Sequence, residues 1–160
     1  MKKFRIIIWA GFLVIMLVFF YCDYFYLKPG IVSFEFANEM DGKLILDGWK
    51  NDKVLSIAQT MIWLDFAYIF FYVAIMITLS NRQIRKEPSI GLNALLRANF
   101  FFAFLAGFFD SIENISLLYN IRYWQTSYFS VVWATWLKFI LIGWTVLIWL
   151  ISFIKSIINR

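Results

Sequence analysis

Histidine is absent from this 160-residue chain. That removes the commonest general base and the commonest transition-metal ligand together. Cysteine occurs once, as Cys22, so no intrachain disulfide can form and cysteine pairing says nothing about compartment. Charge is scarce as well. Charged residues make up 16% of the chain, against roughly a quarter in ordinary globular domains. Hydrophobic residues make up 62%. So few charges cannot screen that much apolar surface from water, and lipid has to be the solvent for much of the chain.

The formal net charge of +5 would suit a nucleic-acid ligand if it were gathered on one face. It is scattered between hydrophobic runs, without a basic face interleaved with aromatics, and nucleic acid is rejected as a partner. Lys2, Lys3 and Arg5 ahead of an apolar run imitate a signal peptide. The residues that follow, Phe19 to Asp23, offer no small-x-small cleavage site, so the run reads as a retained span. No P-loop, nucleophile elbow, dinucleotide fingerprint or zinc motif is present. Internal repeats of the transporter kind are also missing.

Crossing a bilayer takes about 20 apolar residues in a helix. Four segments qualify within one domain, 1–160, at about 5–27, 54–79, 98–118 and 128–154. Helices are expected because lipid leaves backbone N–H and C=O groups no other partner. The fold class is therefore all-α: an integral membrane four-helix bundle. Nine Lys and Arg residues lie on the side of the termini and the second connection, Arg82 and Arg160 among them. Five lie on the other side, from Lys28 to Arg122. This asymmetry places both termini in the cytoplasm, with a bacterial inner membrane as the expected location.

Tyr21, Tyr24, Tyr26, Trp49, Tyr119, Tyr123, Trp124 and Tyr128 gather near the expected outer boundary, where interfacial anchoring accounts for them. A stacking site for a ring-shaped ligand is the alternative. The longest connection runs from Lys28 to Lys53. Pro29-Gly30 ends the first span, Ile31 to Ala37 reads as a short interfacial half-helix, and Asp47-Gly48 marks a second turn. This connection is either an interfacial linker or a lid carrying Glu35 over the mouth of the bundle.

Ionisable groups inside a span are costly and normally face the bundle interior. Here they are Asp65, Asp110, Glu113 and Lys138. The helical rise places Asp65 about 16 Å, Asp110 about 12 Å and Lys138 about 15 Å below the outer boundary, so three helices bring charge to one layer. Asp110, Glu113 and Asn114 share a face at i, i+3 and i+4. Ala103, Ala106, Gly107 and Ser111 continue that face with small residues that allow close helix approach. Asp65 aligns with Tyr68 and Tyr72, and Lys138 aligns with Ala134, Thr135 and Thr145.

Three acids against one lysine would leave about −2 in a poorly hydrated place, which disfavours full ionisation. An acid so placed can bind a cation, exchange a proton, or donate a hydrogen bond to a polar ligand head. The structural alternative is an ion pair of Lys138 with Asp110 or Asp65 that fixes helix packing. The candidate ligand- or ion-binding residues are Asp65, Asp110, Glu113, Asn114, Lys138, Tyr68, Tyr72 and Glu35. No catalytic residue, metal ligand or cofactor is assigned.

Gly30 to Ala37, Leu64 to Tyr68 and Phe109 to Asn114 resemble an uncharacterised family of small bacterial four-helix integral membrane proteins. The resemblance covers most of the chain and implies the same fold, without lending an activity. A looser, architectural similarity is to the four-helix membrane domain of emopamil-binding proteins and the sigma-2 receptor. That likeness implies acids buried around a sterol- or amine-binding cavity. The isomerases of that group use histidine with acids, and this chain has none, so only the cavity carries over.

The leading expectation is a protein that binds or passes a small cationic or amphipathic ligand, a cation or a proton. A non-catalytic interaction subunit of a larger membrane complex comes second. A lipid- or isoprenoid-modifying enzyme with paired carboxylates comes last. The partners to consider are the lipid bilayer, a small cationic or lipid-like ligand, and another membrane protein.

Overall fold

The structure is a computed structural model that describes residues 2–124 and 128–158. Arg160 of the charge count lies outside the described residues, as do the side chains of Lys2 and Tyr128. Among the described residues every regular element is a helix: α1 (Lys2–Phe25), α2 (Ile31–Glu35), α3 (Glu39–Asn51), α4 (Leu55–Ile84), α5 (Ile90–Tyr123) and α6 (Tyr128–Ile158). Four of them, α1, α4, α5 and α6, are long and apolar enough to cross a membrane.

Consecutive long helices run antiparallel. Phe12 of α1 stacks on Tyr68 of α4, Tyr72 of α4 reaches Asp110 of α5, and Asp110 reaches Lys138 of α6. The chain termini and the α4–α5 connection therefore share one end of the bundle, and α2 with α3 covers the other. These are called the terminal end and the cap end below. The packing is sequential: α1 lies on α4, α4 on α5, and α5 on α6. α1 is the least enclosed long helix, with 11% of its apolar window buried against 22% to 28% in the others.

The helices outrun their apolar stretches. α4 continues to Ile84 and α5 starts at Ile90, before Arg97, where the sequence reading ends the second span at 79 and begins the third at 98. Hydropathy marks the length that suits hydrocarbon, whereas backbone hydrogen bonding continues into polar turns.

The connection after α1 is corrected more substantially. Asp47-Gly48 makes no turn; both residues lie inside α3. Gly42, Ile45, Leu46 and Trp49 are buried at i, i+3, i+4 and i+7, and that stripe outweighs the cost of about 1 kcal/mol for a helical glycine. Asn38 caps the helix by accepting from the Asp41 N–H at 2.8 Å. Trp49 is no interfacial anchor either. It is 0% exposed, in a cap core with Leu27, Phe34, Leu46, Met61, Ile62 and Leu117.

Gly107 sets the spacing of α4 and α5. A Cβ there would lie 3.0 Å from Val73 Cγ2 and 3.1 Å from Ile69 Cγ2. Gly107→Leu is expected to force the helices apart and to destabilise the protein by about 1–3 kcal/mol. A thermal unfolding midpoint in mild detergent equal to that of the parent would refute this view of the contact.

At the terminal end, Glu87 is buried in the α4–α5 connection and ties it to α6. It accepts from Ser152 Oγ at 2.7 Å and from Lys155 Nζ at 2.9 Å, with the Ser89 N–H at 3.0 Å. Burial pushes its carboxyl up, and these hydrogen bonds outweigh burial to hold it below its ordinary value.

Candidate functional site

The site is built around the Lys138 ammonium, which has three N–H donors and no other way to satisfy them in an apolar bundle. Three carboxylates surround it. Asp110 Oδ1 lies at 3.0 Å, Glu113 Oε2 at 2.9 Å and Glu35 Oε2 at 3.3 Å. Two come from α5, and the third is brought by α2 from the cap. The second oxygen of Asp110 accepts from the Tyr72 hydroxyl at 2.9 Å. Tyr72, aligned with Asp65 by sequence, thus serves the neighbouring acid.

Glu35 decides between linker and lid. Phe34 is buried against Trp49, with ring centroids 5.1 Å apart, and this turns the next residue inward. Glu35 is 8% exposed. Burial raises its carboxyl above the ordinary value, while the Lys138 ammonium pulls the other way. The connection is therefore a cap that supplies a side chain to the cluster.

Glu113 is 0% exposed and does not line the cavity described next. It sits behind Lys138. Its approach to the ammonium lacks hydrogen-bond geometry, so among the described residues neither of its oxygens has a hydrogen-bond partner. Thr135 and Thr145 donate to their own helix, to the carbonyls of Val131 and Leu141, and offer nothing to the cluster.

Asp65 stands apart. Its Oδ2 accepts from Asn114 Nδ2 at 2.7 Å. Among the described residues no Lys or Arg nitrogen lies within ion-pair distance of it. It faces a cavity of about 410 Å³ that also exposes Glu35, Tyr68, Tyr72, Asp110, Asn114 and Lys138. That volume falls in the range of about 300–1,000 Å³ usual for small-molecule sites.

The sequence reading missed several contributors to this cavity. Asp23, at the end of α1, lines it and accepts from the Ile31 N–H at 3.2 Å, which steers the start of α2. Gly30 lies close against that carboxylate, since a Cβ would stand 2.7 Å from Asp23 Oδ2 and make the Asp23 side chain shift. Phe12 and Phe19 of α1, with Phe139 and Ile142 of α6, form apolar walls. Nothing in hydropathy separates such wall residues from lipid-facing ones. Asp23 was hidden because it directly follows the uncharged run and reads as its flank.

Four carboxyl groups thus line the cavity, Asp23, Glu35, Asp65 and Asp110, and a fifth, Glu113, lies behind Lys138. Among the described residues no group of His, Cys, Asp or Glu is arranged to hold a metal ion. The cavity offers carboxyl oxygens at one region, with aromatic and aliphatic walls beside them. No protein-family model, characterised protein or solved structure matches the chain. The two family resemblances gain no support there, and function has to be argued from this geometry.

Proposed function

We propose that the chain is a multi-pass cell-membrane protein, both termini cytoplasmic, that binds a small organic cation in the cavity on its outer half. The membrane placement follows from four helices long and apolar enough to cross a bilayer. The orientation is supported by nine Lys and Arg residues in the terminal segments and the second connection of the sequence, against five in the other connections.

The observation that carries the reading is Asp65. Lys138 already has three carboxylates, so an ion pair for helix packing is complete without it. A fourth acid that opens on the cavity and meets only an amide is more than packing requires. A protonated amine entering there would gain a charge-assisted hydrogen bond to Asp65 and an aromatic face at Tyr68.

Purified protein in mild detergent is expected to rise in Tm with increasing propylammonium. Asp65→Asn should keep the fold and weaken that response about tenfold to a hundredfold, matching the usual worth of a hydrogen bond to a charge, about 1.5–3 kcal/mol. The exposed Asp52→Asn serves as the control. The reading fails if propylammonium leaves Tm unchanged, or if Asp65→Asn responds like the parent.

One observation favours the interaction-subunit alternative. α1 packs mainly on α4 and leaves Ile6, Ile7, Leu17 and Phe20 exposed, a face that a partner helix could cover. In that case a second membrane protein co-purifies, and Asp65→Asn has no effect on it.

A further inference from the structure

The shape of the cavity says more about its occupant than its charge does. On α4 its lining runs from Met61 to Met76, about 22 Å along the axis, and on α1 from Phe12 to Asp23, about 16 Å. A volume of about 410 Å³ spread over roughly 20 Å leaves a narrow column rather than a round chamber.

The column is also polarised. Asp23, Glu35 and Asp65 lie toward the cap. The Tyr72 hydroxyl, Asp110 and Lys138 line one side of its middle, and Met76 and Ile142 at the deep end carry no nitrogen or oxygen in their side chains. Its side is incompletely walled, because α1 and α6 both line it but are not among the helix pairs that pack extensively. The lining residues Val32 of α2 and Phe139 of α6 are 54% and 43% exposed, so the cavity wall reaches the surface at both.

From these features we infer that the occupant is a single-tailed amphiphile with a protonated amine head, which slides in from the surrounding leaflet between α1 and α6. The inference rests on the cation-binding reading and adds the tail, its direction and its source. A head at Asp65 with the tail toward Met76 has the same orientation as a lipid of the cap-side leaflet. The molecule therefore enters without turning over, and its head never crosses the apolar floor. Passage through the cap is disfavoured, since Trp49, Leu46 and Phe34 pack solidly there.

Dodecylamine and propylamine, each in its ammonium form, separate the claims in lipid nanodiscs. Dodecylamine preloaded in the disc lipid is expected to occupy the parent protein, read by Tm and by native mass spectrometry, faster than the same amount added from water. Ile142→Trp and Met76→Trp fill the deep end from two different helices. Each is expected to weaken dodecylamine at least tenfold more than propylamine, with amine-free Tm reporting whether the variant is folded. The tail is overturned if both amines weaken equally, and the lipid source is overturned if preloaded dodecylamine binds no faster than dodecylamine added from water. If neither amine binds the parent protein, the cation-binding reading falls as well. The preloading measurement needs no variant and decides the lipid source even where tryptophan is not accommodated.

Discussion

Lys138→Met is expected to destabilise the protein by about 3–5 kcal/mol, the usual penalty for stripping one partner from a buried ionic cluster. The loss is larger than the worth of any one ion pair because three carboxylates share this ammonium. Asp110, Glu113 and Glu35 would be left facing one another at positions 5%, 0% and 10% accessible by side chain. Removing acids along with the lysine should restore much of the loss, since neutral groups of similar shape can be nearly as stable as a buried charged set. The triple change Lys138→Met, Asp110→Asn and Glu113→Gln is therefore predicted to melt well above the single variant. Unfolding curves in detergent measure both. A single variant with the Tm of the parent would mean that the ammonium does not organise the cluster. Lys138→Arg is not a neutral control, because a planar guanidinium cannot take the place of a compact ammonium among three converging carboxylates.

Trp49→Ala should cost a similar amount, about 3–5 kcal/mol for a buried tryptophan, but the damage would fall on the cap. The indole fills the space between Phe34 and Leu46 and donates from Nε1 to the Pro29 carbonyl at 3.0 Å. With Trp49 gone, Phe34 loses its ring contact and Glu35 loses the support that points it at Lys138. Cys22, half-buried against this same core, is a natural reporter. Its labelling by a maleimide is expected to accelerate at least tenfold in Trp49→Ala, and only slightly in Trp49→Phe, which keeps the stacking and gives up one hydrogen bond of about 0.5–1.5 kcal/mol. Equal labelling rates in all three proteins would show that the cap does not depend on Trp49.

Much of this arrangement was legible in the residues, and the boundary of legibility has a physical cause. Four long runs announce four long helices because the requirement of hydrocarbon on backbone and side chain is unconditional. Asp65, Asp110 and Lys138 came to one layer by counting rise along antiparallel helices, and the ion pair of Asp110 with Lys138 follows from that. Partner choice within the layer was not legible. Tyr72 lies about two turns from Asp65, close enough in projection to seem its partner, yet its hydroxyl crosses to Asp110. Glu113 shares a face with Asp110 but lies one turn nearer the cap, and that shift puts it behind the lysine. The cap was the least legible part. In Asp47-Gly48 a strong local turn signal met a tertiary stripe of Ile45, Leu46 and Trp49, and the stripe prevailed. Lid or linker turned on Phe34, whose burial against Trp49 is a long-range contact that periodicity does not carry.

The order of the charges along the chain bears on how such a protein is made. Synthesis from the N-terminus delivers Glu35, Asp65, Asp110 and Glu113 before Lys138, which belongs to the last long helix. On the proposed topology the insertion machinery would release three spans and a cap segment holding acids without their counter-ion. Only the final span would neutralise them. A ribosome that stalls after Tyr123 would therefore leave an intermediate poorly suited to the bilayer, and a natural target for membrane quality-control proteases.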